Sequence, residues 1–159
     1  MSQAFSEQLR EMYEADRDAL YGYAVAITGD RAAAEDAIHE AFRRLLGRGR
    51  APAELRPYVF RCVRNAAIDE RRRAHPGSSD GPFEESPDGA GTGGIRAEEW
   101  NVMLRRLGDD ERETIALKVF DALTFREIAE ARGVPLHTAA SWYRRGMEKL
   151  RAMLAKEGI

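Results

Sequence analysis

Apolar residues recur every three or four positions through most of the chain, and period-two alternation persists nowhere, so the pattern predicts helices and no sheet. One or two helices are expected across Ser6 to Thr28, one from Asp30 to Leu46 and one from about Pro52 to Arg73. Gly29 followed by Asp30 marks a stop and an N-cap. In the second of these helices Ala34, Ile38, Ala41, Phe42 and Leu45 share one face, and Glu35, Asp36, His39, Glu40 and Arg43 share the other. The third is expected to bury Leu55, Val59, Cys62, Val63 and Ala66.

Further along, the pattern predicts a helix near Glu98 to Leu107, a break at Gly108, an N-cap at Asp109 or Asp110, and a helix reaching Asp121. Residues Thr124 to Leu150 then read as a helix-turn-helix. Thr124 and Glu127 have capping-box spacing, Ile128 and the small Ala129 supply a packing face, Gly133 permits the turn and Pro135 starts the next helix. On that helix Ala139, Tyr143, Gly146, Met147 and Leu150 turn inward, while His137, Ser141, Arg144 and Arg145 face outward as candidate groove readers. An ordinary amphipathic hairpin with a solvated polar face fits the same spacing, so the rest of the chain has to decide.

Between the helical halves, HPGSSDGPFEESPDGAGTGG (His75 to Gly94) is rich in Gly, Pro, Ser and acid and has little to bury. The expected architecture is therefore all-α: two small helical domains, 1–74 and 96–159, joined by a flexible acidic linker over 75–95, the second ending in the helix-turn-helix.

Net charge is only −2, but the charges are sorted. Residues 1–42 carry three Arg against nine acids, residues 43–73 ten Arg against three acids, and residues 74–95 four acids with no Lys or Arg. On the third helix Arg56, Phe60, Arg64 and Arg71 fall in one arc away from the expected core, with Arg61, Arg72 and Arg73 beside them. Guanidinium groups neutralise phosphates, and an exposed aromatic offers an unpaired base a stacking surface. The competing reading is a solvated Arg-rich face with Phe60 tucked into the core.

The chain is 43% hydrophobic and 33% charged, with no run of about 18 apolar residues and no charged-then-apolar leader, which predicts a cytoplasmic protein without membrane insertion. One cysteine excludes an internal disulfide, and with His39, His75 and His137 scattered there is no zinc-like ligand spacing, so neither metal nor cofactor is expected. No Ser-His-Asp set is present, and Gly89 to Gly94 lacks the Lys and following helix that a phosphate-cradling loop needs, so an enzyme is not expected.

Taken in order, these segments resemble an extracytoplasmic-function (ECF) sigma factor, the compact branch of the bacterial sigma-70 family. ITGDRAAAEDAIHEAFRRLL (Ile27 to Leu46) is similar to the family's core-polymerase-binding helix, with Ala34, Glu35, Asp36, Glu40, Ala41 and Phe42 at matching positions. LRPYVFRCVRNAAIDERRR (Leu55 to Arg73) is similar to its promoter-melting helix, and LTFREIAEARGVPLHTAASWYRRG (Leu123 to Gly146) to its upstream-element reader. The resemblance implies a subunit that directs promoter recognition, melting and transcription initiation, with core RNA polymerase and promoter DNA as partners and an anti-sigma factor as a further one. It implies core-polymerase contacts by Glu35, Asp36, His39, Glu40 and Arg43. For the minus-ten element it implies Arg56, Tyr58, Phe60, Arg61, Arg64, Asn65, Asp69 and Arg71, Tyr58 standing where the family often has Trp. For the upstream element it implies His137, Thr138, Ser141, Trp142, Arg144 and Arg145. The acidic linker would occupy the RNA exit path.

Two positions depart from the pattern. Ala140 and Trp142 stand where the family commonly has basic residues, so the upstream grip is expected to be weaker, and Trp142 packs either on a thymine methyl, on the neighbouring helix or on a partner protein. The short, Arg-rich loop Gly47 to Pro52 prevents transfer of base specificity. Two other readings remain beside the sigma factor: a duplex-binding repressor or activator, for which no self-association helix is evident, and a sigma-like interaction module that has lost promoter binding.

Overall fold

Each helix of the first half forms where apolar spacing placed it, and the boundaries are set by local chemistry. The computed structural model describes residues 3–48, 52–74, 102–119 and 123–157; the expected linker lies outside the described residues, as do the side chains of Val119 and Glu157. Helix α1 (Gln3–Thr28) is a single helix rather than two. Gly29 ends it with a left-handed backbone (φ 73°) and donates its N–H to the Val25 carbonyl at 2.7 Å. Helix α2 (Arg31–Arg48) then starts under the Asp30 carboxylate, which accepts from the Ala33 N–H at 3.2 Å. Helix α3 spans Leu55–Ala74. The three pack on one another around Phe5, Leu9, Leu20, Tyr23, Leu45, Val59 and Val63, all essentially inaccessible to solvent. Leu55 and Cys62 are only half-buried, and burial pushes the Cys62 thiol above its ordinary pKa, which suits packing rather than thiolate chemistry.

In the second half a helical turn at 102–105 leads into α4 (Asp109–Val119), followed by α5 (Phe125–Arg132) and α6 (Leu136–Glu157). The α4 cap differs from expectation. Asp109 is already helical, Gly108 occupies the cap position with its carbonyl accepting from the Arg112 N–H, and Glu111 reaches back to the Gly108 N–H. A glycine at the cap has no side chain for the first helical amides, so this end keeps only the half of a capping box in which the acid three residues on accepts from the cap's own N–H. The α5 cap is as expected: the Thr124 hydroxyl accepts from the Glu127 N–H at 3.1 Å, and the Glu127 carboxylate accepts from the Thr124 N–H at 3.0 Å. Gly133 closes α5 at φ 67°, a left-handed conformation that a Cβ would strain.

Among the described residues two apolar clusters result. A smaller one, Met103, Leu104, Leu107, Ile115 and Leu150, with Tyr143, Met147, Met153 and Leu154 against it, holds α4 to α6. The larger one runs from the first half into the second, taking in Ala116, Leu117, Ile128, Ala129 and Ala131. The halves are thus docked: α4 packs on α1, and α5 packs on α3. Among the described residues no helix is long and apolar enough to cross a membrane, and no group of His, Cys, Asp and Glu could hold a metal ion.

Candidate nucleic-acid and polymerase interface

Three surfaces carry the residues singled out in the sequence. On α2 the apolar face is buried through Ala34, Ala37, Ile38, Ala41 and Leu45, with Phe42 half-buried edge-on to Tyr13 at 5.3 Å. That burial leaves Glu35, Asp36, His39 and Arg43 in solvent. Glu40 is clamped: Arg43 donates to it at 2.7 and 3.0 Å and Arg44 at 2.8 Å, and these hydrogen bonds hold its carboxyl at about 2, so it stays ionised throughout the physiological range. Glu40 is therefore locally neutralised, Glu35 is loosely paired with Arg31 at 4.0 Å, and the exposed Asp36 adds negative charge to the same face.

On α3 the expected outward stripe is divided. Phe60 is fully buried, its ring 5.9 Å from that of Tyr23 on α1. This corrects the expectation of an exposed stacking surface. The helix packs on three neighbours, α1, α2 and α5, and the side that looked outward from α2 faces α1. Arg56 is turned to α1 as well, in a bidentate pair with Asp16 at 3.0 and 3.1 Å. Tyr58 is half-buried with the Arg48 guanidinium over its ring at 5.4 Å, and Asp69 lies 4.0 Å from Arg44. Asn65, Arg72 and Arg73 are exposed.

Arg61, Arg64 and Arg71 form the stripe that remains, at the three-and-four spacing of one helix edge, and it faces the second half. Arg61 donates to the carbonyls of Ala131 at 3.0 Å and Glu130 at 2.7 Å, at the C-terminal end of α5 where unsatisfied carbonyls collect. Arg64 donates to Glu113 at 2.7 Å, and Arg71 lies 3.5 Å from Asp109. Burial works against the Arg64 charge, but the hydrogen bond and charge of Glu113 outweigh it and raise its pKa.

Glu113 is the residue that sequence reading missed. Helix α4 buries polar and apolar positions alike, Glu111, Arg112, Glu113 and Thr114 included, because it is enclosed on several sides. Each of these finds partners, as buried polar groups must. Glu111 pairs with Lys149 at 2.8 Å. Arg112 donates to the Ala26 carbonyl of α1 at 3.1 Å and pairs with Asp109. Thr114 donates to the Asp110 carbonyl at 2.7 Å. Glu113 accepts from the Tyr23 hydroxyl at 2.8 Å as well as from Arg64, with Arg132 at 3.6 Å. Burial, then the Glu113 charge, pushes the Tyr23 hydroxyl well above its ordinary pKa, so it remains a donor. The only sequence signal was the acid-base alternation DDERE opening a short helix, which reads equally as a solvated first turn.

On α6, Ala139, Gly146 and Leu150 are buried and Tyr143 stacks edge-on with Phe125 at 5.3 Å, as the helix-turn-helix spacing required. His137, Arg144 and Arg145 are exposed, and Thr138 and Ser141 half-exposed. Trp142 lies with the Arg132 guanidinium over its ring at 4.8 Å, which answers where it packs: on the neighbouring helix.

Comparison with known proteins fits this arrangement. Residues 12–76 match the family model described as sigma-70 region 2, and residues 97–150 match that described as sigma-70, region 4. In that order along one chain, these are the parts of a sigma-70 factor. The ECF RNA polymerase sigma factor SigL of Mycobacterium tuberculosis is 29% identical, the match covering 95% of this chain and 91% of the relative. The ECF sigma factor EcfG of Rhodopseudomonas palustris is 24% identical over 96% of this chain and 88% of its own length. A solved structure of the sigma factor RpoE from Bartonella quintana, in complex with the anti-sigma factor NepR, has the same fold, with TM-score 0.75 and 20% identity over 97% of this chain and 98% of its own. The chain belongs to the ECF branch of the sigma-70 family and is an RNA polymerase sigma factor, acting with core polymerase on promoter DNA in transcription initiation.

Proposed function

We propose that residues 1–74 form the polymerase-binding and minus-ten-binding domain, residues 96–159 the upstream-element domain, and 75–95 their linker. The observation that carries this reading is the division of each helix into a packed face and a chemically distinct outward one. On α2 the outward face is acidic, with Asp36 and His39 exposed, and it takes the contact to core polymerase together with Glu35, Glu40 and Arg43. On α3, Arg61, Arg64, Asn65 and Arg71 take the phosphates and bases of the opened minus-ten strand, with Arg56, Tyr58 and Asp69 bracing the same helix. On α6, His137, Thr138, Ser141, Arg144 and Arg145 read the upstream element, while Trp142 supports Arg132. The chain does this as a non-catalytic specificity subunit in the cytoplasm, and an anti-sigma factor, such as NepR is for RpoE, is its regulatory partner.

Reversing Asp36 to Arg tests the first surface. A charge reversal at an interface rim chiefly slows association, while one at a desolvated contact costs about 2 to 5 kcal/mol. The expected result is weakened co-purification with core polymerase and loss of run-off transcripts from a protein that still folds. Wild-type assembly and transcription would show that this face is merely solvated.

For the third surface, Arg145→Ala is expected to lower the slope of log affinity against log salt by about one unit if Arg145 meets a phosphate. Titration with promoter duplex at several salt concentrations reads this. An unaltered slope with relaxed preference at one base pair would make Arg145 a base reader instead.

A further inference from the structure

Among the described residues, Leu136 is the large apolar side chain left most in solvent, 56% exposed. A lone exposed leucine needs no explanation by itself, but the position of this one supplies one. Leu136 is the first residue of α6, the second helix of the helix-turn-helix, and in such motifs the N-terminal residues of that helix meet base edges. Residues four apart form two neighbouring rows on this face, Leu136, Ala140 and Arg144 in one, His137, Ser141 and Arg145 in the other, and all six are at least partly exposed. The rows are basic only at their far ends: Arg144 stands about 12 Å along the helix from Leu136.

Chemistry limits what the start of this face can read. Bidentate recognition of guanine takes Arg or Lys and that of adenine takes Asn or Gln, and residues 136–143 contain none of the four. Trp142, the other large apolar side chain expected at the groove, lies against Arg132 instead. The major groove shows one apolar feature, the thymine 5-methyl group, and an apolar side chain is what meets it. We propose that Leu136 reads a thymine 5-methyl group in the upstream element, so that the factor selects an A·T pair where the start of α6 enters the major groove. The proposal rests on the assignment of α6 to that element. Contact removes both the leucine and the methyl group from water. A cytosine in the same place has no methyl group and sets its amino donor against a leucine that cannot accept, so the wrong pair is also penalised.

The test uses holoenzyme assembled from core polymerase and the full chain. A promoter duplex library randomised over the upstream element is selected for binding. The enriched element is then synthesised with each thymine in turn replaced by deoxyuridine, which removes the methyl group and keeps the hydrogen-bonding edge. The expected result is roughly fourfold weaker wild-type binding with deoxyuridine at one position, the increment of burying one methyl group, and no such loss at that position for Leu136→Ser holoenzyme. Position 136 is exposed, so the serine leaves the packed face of α6 intact. Arg145→Ala holoenzyme on the same duplex reports separately on the α6 assignment. A deoxyuridine loss that persists in Leu136→Ser, or none at any thymine while Arg145→Ala weakens binding, would overturn the reading of Leu136 and leave α6 on the DNA. Binding indifferent both to deoxyuridine and to Arg145→Ala, or a selection that enriches no upstream sequence, would overturn the α6 assignment and the thymine reading with it.

Discussion

Phe60→Ala is expected to lower the melting temperature of the chain by roughly 10 °C. Removing a buried Phe side chain costs about 3 to 5 kcal/mol through lost transfer energy and the cavity left behind. In a chain of this length each kcal/mol moves the midpoint by about 2 to 4 °C. Phe60 is fully inaccessible and lies against Tyr23, which is itself fully buried and bonded to Glu113, so relaxation into the cavity would also disturb the docked halves. Thermal unfolding followed by circular dichroism reads the loss. Wild-type melting together with slowed strand opening, seen as lower permanganate reactivity of promoter thymines, would return Phe60 to the DNA surface.

Gly146→Val is expected to destabilise the second half by about 1 to 3 kcal/mol, the usual cost of overpacking. Helix α6 crosses α4 at Gly146 with no room for a side chain: a Cβ there would lie 3.0 Å from Ile115 Cγ1, 3.2 Å from Ile115 Cδ1 and 3.4 Å from Glu111 Cβ. Alanine in place of glycine favours a helix by up to about 1 kcal/mol, but a β-branched valine cannot turn both methyl groups away from Ile115. Chemical denaturation should show the lost stability, and affinity for upstream-element duplex should fall because Arg144 and Arg145 sit on the displaced helix. Unchanged stability and duplex affinity would mean that α4 and α6 shift apart freely.

What was legible in the sequence was what neighbouring residues decide between themselves. Thr124 and Glu127 are three apart, Gly133 supplies its own left-handed backbone, and the inward set from Ala139 to Leu150 needs only the helical repeat. Positions governed by two packing partners were read less well. A helical wheel assigns one inside and one outside, whereas α3 touches α1, α2 and α5, so Phe60 and Arg56 face a neighbour where the wheel showed solvent. Helix α4 is the stronger case. Beyond the exposed Asp109 and Asp110 it is enclosed on several sides, and its buried Glu113 was indistinguishable from an acid in a solvated first turn. Trp142 was placed on the correct helix, but its partner Arg132 depends on the angle between α5 and α6, which local spacing does not encode.

The docked surface of the second half sets Leu117 and Ile128 among Ala116, Ala129 and Ala131, the last three too small to bury much area apiece. Two separate proteins meeting through such a seam would hold each other weakly. Here both halves belong to one chain, and tethering by a short segment gives an effective concentration of the order of millimolar. An intrinsic dissociation constant about tenfold below that, roughly 0.1 mM, is then enough to keep the chain mostly closed. A partner that binds one half at nanomolar to micromolar strength would outcompete a contact of that order, so small side chains at the seam favour a closure that tethering sustains and tight binding to either half opens.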